Sequence, residues 1–411
     1  MGRWRGVLEQ EDLPVKYIKM SEHLDMLGVT LKASYMQTRK TNGDELRVKI
    51  ENLIGGWRGG RFMPLTQRPY SLNTYCLPLL WYRCHSVDLR EGDFNKFSSI
   101  IKSWLYADTL EKPEELLMYR ARKQGGLGIH HIKSKATAIL IRSFLETAIG
   151  DKFIRNNYHH ALFLWHVLKD NQINNPGSPK YYSTDFFNII RDIHFKTDLN
   201  IKRMTSGEWY RVILERNLTM ITNHDGSMTP KLSKIEIRNP GVEWERTWSI
   251  MESKILSADQ RSFLLKVVYN ILPTKARLSR MRLSDSANCD KCSNNVEETI
   301  QHALLECSFN NVNDWIIAVM IDISEDLIDV DLSSSNLVTL NIPLESETRQ
   351  AVAWFLATVF SVVWRARQTR KAPTINYTRL IIETELKILK ETRYRNIAES
   401  LENAINFKFY L

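Results

Sequence analysis

The sequence predicts a mainly α, multi-domain helical protein. It opens with a short β-hairpin and carries a small helical module around clustered cysteines. Three observations predict this. Apolar residues past position 43 recur at steps of three and four, the period of one helix face. Extended composition is concentrated in the opening residues. At 411 residues the chain exceeds the usual size of a single domain.

The elements follow in order. Leu27-Gly28-Val29-Thr30-Leu31 has strand composition and is a candidate to pair with Tyr17-Ile18-Lys19-Met20. Leu46, Ile50, Leu53, Ile54 and Trp57 mark a helix from Asp44 to Trp57, with Asn42-Gly43 ahead of it as turn chemistry. A second helix is expected from Leu72 to Trp81, kinked at Pro78. Phe94, Phe97, Ile100, Ile101, Trp104 and Leu105 predict a third, and three such helices can close a small bundle. Gly125-Gly126-Leu127-Gly128 interrupts the pattern before a helix from about Ser134 to Ile149. Asn171 to Pro179 reads as a linker, and 223–240 as a boundary or turn-rich hairpin. Ser257 and Gln260 form a capping box for a helix running through Leu272, which Pro273 stops and after which Thr274 caps the next.

Composition narrows the function. Apolar residues at 43% and charged residues at 25% exclude a disordered tail or a fibre. The longest apolar run, Ala351 to Trp364, falls short of a membrane span and meets Arg365 and Arg367, so it reads as a buried helix. A net charge of +9 favours an anionic partner, most often nucleic acid. Five cysteines are too few for a disulfide scaffold, and no apolar stretch follows the basic first residues, so a nuclear or cytoplasmic, non-secreted protein is expected.

Cys289, Cys292, His302 and Cys307 form a C-x2-C-x9-H-x4-C pattern. Two thiolates separated by two residues can share one ion, and four sulfur or imidazole ligands suit structural Zn2+, with no position left for water. The competing reading is a set of small buried apolar cysteines. Three of the five cysteines and a histidine fall within nineteen positions, which favours zinc. His302 and Cys307 are five apart, too far for one α-helical face, so a frayed helix end at Cys307 is expected to bring them together. Cys76 and Cys84 read as core, and the pairs His130-His131 and His159-His160 as structural or surface.

Two segments are basic without any acid, one holding Arg120, Arg122, Lys123, Lys133 and Lys135 and the other Arg365 and Arg367. With Arg58, Arg61 and Arg68 beside Tyr70, they are the candidate nucleic-acid contacts, since clustered cations release phosphate counterions on binding. The glycine turn at 125–128 would let a sugar-phosphate strand come close. For any single cation, a solvated helix face is the alternative.

The order of Leu27-Gly28-Val29, the helix ending at Trp57, Trp81-Tyr82, Phe94 to Trp104 and Gln124-Gly125-Gly126-Leu127-Gly128 resembles non-LTR (LINE-type) retrotransposon reverse transcriptases just downstream of the palm. The second half is similar to the zinc-binding domain C-terminal to such polymerases. That likeness runs through Leu264-Leu265-Lys266, Asn270 to Thr274, Leu278 to Met281, the cysteine cluster with Glu297-Glu298-Thr299, and the tail Val362-Val363-Trp364-Arg365-Ala366-Arg367. The resemblance implies residues 1–32 as a palm-edge remnant, 33–150 as a thumb-like domain, 151–255 as a connecting helical region and 256–411 as the zinc-binding domain. It also implies an RNA or DNA primer–template as partner, together with the rest of a retroelement polymerase, and no membrane. The family's paired aspartates lie upstream of the Leu-Gly-Val strand. No Asp-Asp pair occurs among the residues before Leu27, so no catalytic residue is expected and the chain alone is expected not to polymerise. Tyr106-Ala107-Asp108-Thr109 only mimics the aspartate box, because Thr109 replaces its second acid. A domesticated helical protein–protein interaction scaffold with a structural zinc is the alternative.

Overall fold

The computed structural model describes residues 23–26, 28–32, 34–57, 63–106, 112–150, 157–170, 172, 176, 182, 184–196, 199–222, 228–292, 295–310, 312–369 and 372–407. Tyr17 to Met20, Leu27, Arg58, Arg61, Ala107 to Thr109 and most of the expected linker at 171–179 lie outside them. The chain divides into two compact units. One takes in 1–60, 70–105 and 129–231, and the other 61–69, 106–128 and 232–411.

In the first unit, β1 (His23–Met26) and β2 (Val29–Lys32) form an antiparallel hairpin with Met26 opposite Val29. Gly28 has φ of +76°, a conformation in which a Cβ would be strained. The hairpin partner of β2 is thus His23–Met26, where the sequence pointed to residues 17–20.

Helix α1 (Tyr35–Gly56) begins well before Asp44 and runs straight through Asn42-Gly43. These two residues make no turn because tertiary contacts use them inside the helix. Asn42 is fully buried; its Oδ1 accepts from Thr30 N, and its Nδ2 donates to the carbonyls of Thr30 and Thr38. Arg83 donates to the Asn42 carbonyl and to Glu45. A Cβ on Gly43 would sit 2.6 Å from the Asp93 carboxylate, so this glycine permits a close approach.

A wide turn over Leu72–Cys76 precedes α2 (Leu77–Cys84), with Leu77 N–H bonded to Leu72 O. Helical residues run without a break from Arg68 to Cys84, and the wide turn stands directly ahead of Pro78, where it accommodates the ring and the missing N–H. Helix α3 (Glu91–Tyr106) matches its predicted period. Cys76 and Cys84 are buried, and burial pushes the Cys76 thiol up to about 12. Helix α4 (Ile132–Ile149) packs with α5 (Thr184–Lys196) and α6 (Ser206–Leu214) around Phe144, Phe186, Phe187, Ile190 and Trp209. In the tract 223–240, read as a boundary or a turn-rich hairpin, Met228–Pro230 form β4, which pairs with β3 (Met220–Thr222), and residues 234–238 are helical.

In the second unit, α7 (Lys234–Arg238) and α8 (Trp244–Met251) lead to α9 (Ala258–Val268), which the Ser257–Gln260 capping box opens as read from sequence. Helix α9 ends at Val268, before the expected Leu272. Asn270 takes φ of +52°, and the N–H groups of Asn270 and Ile271 return to the carbonyls of Val267 and Lys266. This left-handed cap stops the helix before Pro273 can. Thr274 caps α10 (Lys275–Arg280) as expected. The remaining long helices are α11 (Asn313–Ile323), α12 (Ser346–Gln368), α13 (Ile375–Lys390) and α14 (Arg395–Phe407). Helix α12 carries the apolar run from Ala351 and touches α9, α11, α13 and α14, so it is the buried mast of the unit. No helix among the described residues is long and apolar enough to cross a membrane.

Candidate metal centre

The cluster is assembled by short-range structure. Asn288 pairs antiparallel with Glu297, Cys289 N–H donates to Val296 O at 2.8 Å and Glu298 N–H to Ala287 O at 2.9 Å. These bonds close a loop that presents Cys289 and Cys292. Lys291 N–H donates to Cys289 Sγ at 3.4 Å, as a backbone amide does when it stabilises a thiolate. Thr299 Oγ1 accepts from His302 N–H and starts the next helical turn. Ile300, Ala303, Leu304 and Leu305 anchor that turn in the core, each 3% exposed or less.

The helix does end at Cys307, which is extended, but through an ordered wide turn rather than a frayed one. Cys307 N–H donates to His302 O at 2.9 Å, a five-residue bond, across a π-helical His302–Glu306. Five residues span about 140° too much for one face of an α-helix. The wider π turn brings the two side chains together, a use such turns often have at functional sites.

The four ligand atoms lie within 4.8 Å of one another. Cys289 Sγ and Cys307 Sγ are 3.8 Å apart, and Cys292 Sγ and His302 Nε2 are 3.5 Å apart. A tetrahedral zinc ion with bonds of about 2.3 Å to sulfur and about 2.05 Å to nitrogen requires edges of about 3.8 Å and about 3.5 Å respectively. The donor set therefore fits the ion in chemistry, and these two edges match it in size. Four protein ligands leave no open position, so the centre is a structural Cys3His zinc site. Among the described residues no other group of three or more His, Cys, Asp or Glu side chains converges this way.

Burial raises both Cys289 and Cys307. For Cys289 the amides of Lys291 and Cys292, His302 and the Arg367 guanidinium outweigh it and hold the thiol below its ordinary value. For Cys307 burial prevails and the thiol is raised.

Several cations read as nucleic-acid contacts lie inside the protein. Arg367 is 4% exposed, donates to Cys289 Sγ at 2.9 Å and pairs with Glu298 at 3.2 Å. Arg120 is 10% exposed at its side chain and donates to both Glu236 oxygens, at 2.8 and 2.9 Å. Arg68 is buried and donates to Met63 O. Burial with internal acceptors, which a linear charge run does not report, removes these three from the surface. Lys135 stands 5.2 Å above the Tyr210 ring, and Lys133 pairs with Glu91 at an exposed position. Arg122, Lys123 and Arg365 are exposed, and Arg122 donates to Thr66 O.

The glycine turn also differs from its reading. Gly125 and Gly126 are buried; a Cβ on Gly125 would meet the Trp248 ring at 2.6 Å, and one on Gly126 would meet Arg120 O at 1.9 Å. The close approach they permit is to the protein itself. The histidine pairs are structural: His131 Nδ1 accepts from Ser134 N–H, and His159 packs against Phe144. Glu298 belongs to the Glu297-Glu298-Thr299 run of the sequence pattern, which gave it no role; here it is the acid that meets Arg367. The signal for that role is Arg367 itself, placed on an apolar helix face, which demands a buried acid.

Residues 233–313 match the family model described as zinc-binding in reverse transcriptase. The matched segment runs from Ser233, which caps α7, to Asn313 at the start of α11, and contains all four ligands. No curated protein matches the chain.

Proposed function

We propose that this chain is a nucleic-acid-binding part of a LINE-type reverse transcriptase, acting downstream of the polymerising palm. Residues 33–150 correspond to its thumb-like region, 151–255 to a connecting region and 256–411 to its zinc-binding domain. Its partner is an RNA or DNA primer–template, and no residue of the chain is assigned a catalytic role. One observation carries the reading: the segment matching a reverse-transcriptase zinc family holds a Cys3His set with zinc-sized spacing. The exposed cations Arg122, Lys123 and Arg365 support it. Arg365 and Lys266 line a groove of about 650 Å³ with Phe263 and Trp364, although Asp259 and Glu385 share its walls. Cations beside aromatic rings suit a strand held without sequence preference.

Fluorescence anisotropy of a labelled RNA–DNA primer–template, measured from 50 to 200 mM salt, tests the reading. Binding is expected to weaken steeply with salt, and each lost phosphate contact in R122E/K123E or R365E should lower the log–log slope by about one. Absence of binding by the zinc-loaded protein at 50 mM salt would overturn it. An apolar stripe favours the second reading, a protein-interaction scaffold: Tyr75, Leu79 and Tyr82 follow one another at helical spacing and are 61%, 38% and 54% exposed. Stable capture of a protein partner that Y75S/Y82S abolishes, without any nucleic-acid binding, would select it.

A further inference from the structure

We infer that Arg367 is a positioning residue of the metal centre. It holds the Cys289 thiolate from outside the ligand set, so the centre extends beyond the matched segment 233–313 to the C-terminal end of α12. The inference rests on the zinc site and is independent of nucleic-acid binding.

Three features lead to it. Phe355, Val359, Val363 and Arg367 succeed one another at steps of four along α12; the first three are fully buried and Arg367 is 4% exposed. A guanidinium continuing an apolar stripe is costly unless an anion meets it. Two anions do. The Glu298 carboxylate, 6% exposed, lies 3.2 Å from Arg367 Nη2, and the same nitrogen lies 2.9 Å from Cys289 Sγ.

The geometry joins both halves of the ligand set to α12. Glu298 sits between the paired strand at Glu297 and the Thr299 cap that orients His302. Clamping Glu298 therefore steadies His302, while the N–H···S bond steadies Cys289. Three thiolates exceed the charge of one zinc ion, so the loaded centre is an anion that a buried cation stabilises. A guanidinium N–H on the sulfur also fixes that ligand's position and stabilises its deprotonated, metal-binding form. Because α9, α11, α13 and α14 all pack on α12, zinc occupancy and the order of the C-terminal helices become linked.

The test uses the full chain loaded with Zn2+ and compares wild type with R367Q, the double variant E298Q/R367Q, and R365Q on the exposed side of the same helix. Zinc release to a chromogenic chelator is timed, and the thiolate-to-metal absorption of the Co2+ form is recorded. R367Q is expected to release zinc about 10-fold faster or more, the usual scale for an outer-shell partner, and to shift the Co2+ band. R365Q should match wild type in zinc release and in the Co2+ band, whatever it does to nucleic-acid binding. The double variant removes the carboxylate that R367Q alone would strand, so it folds without a lone buried charge and isolates the sulfur contact. It should retain the fast release and the shifted band. If it instead returns to wild-type release, Arg367 serves only as the ion-pair partner of Glu298 and the proposal is wrong. Failure of wild type to take up zinc would remove both the proposal and the metal site, leaving the anisotropy test untouched.

Discussion

Gly126→Ala should strongly destabilise the second unit. A Cβ there would stand 1.9 Å from Arg120 O and 2.3 Å from its carbonyl carbon. Both atoms are backbone, so no rotamer change relieves the clash. The turn must open, and with it the bonds from Gly126 N–H to Ala121 O and from Gly128 N–H to Arg120 O. Overpacking costs about 1–3 kcal/mol, and two lost backbone bonds add about 1 kcal/mol each, giving about 3–5 kcal/mol. At about 2–4 °C per kcal/mol for a unit of this size, the melting temperature should fall by about 10 °C. Gly125→Ala should fall somewhat less, because it adds left-handed strain at φ of +75° and a clash with the Trp248 ring, which can shift. Gly128→Ala should be mildest: its φ is +69°, but its nearest neighbour is Arg122 Cγ at 3.6 Å. Thermal unfolding followed by circular dichroism reads the series, with anisotropy on a primer–template alongside. Wild-type melting of Gly126→Ala combined with lost binding would refute the reasoning and return the glycines to a nucleic-acid surface.

Asn42→Ala should cost about 2–4 kcal/mol, since it strands the N–H and carbonyl of the buried Thr30. Urea unfolding measures the loss, and hydrogen exchange should rise first across Val29–Lys32; a change under about 0.5 kcal/mol would contradict the pin. The acid limb of stability should depend on Glu236. Burial raises this carboxyl, but Arg120 and Ser233 outweigh that and hold it below the ordinary carboxylate value. Its contribution is therefore complete above the unfolded-state value and lost as pH falls through the lower folded-state value. E236Q should be less stable than wild type at neutral pH and converge with it in acid; a constant gap across that range would rule this out.

The ligand set was legible in the sequence because its chemistry is local: C-x2-C spacing and the Ser257, Thr274 and Gln260 capping residues each act within a few positions. The mode of closure was not legible. Spacing alone called for a frayed end between His302 and Cys307, whereas core packing of Ile300, Ala303, Leu304 and Leu305 accompanies an ordered five-residue turn. Asn42-Gly43 and Gly125-Gly126 carry turn composition, yet only the second pair makes a turn. In the first, Asn42 is bonded to Thr30, and Asp93 packs where a Cβ on Gly43 would stand, both partners remote in sequence.

Residue type and short spacing by themselves determined the helical class, the capped helix starts and the zinc ligands, since each depends on periodicity or on bonds between near neighbours. Tertiary structure alone decided which cations face solvent and which face a carboxylate or a thiolate. Arg365 and Arg367 stand two residues apart on α12 and are indistinguishable in composition. A helix turns successive positions toward different surroundings, so one meets water and the other meets Cys289 and Glu298.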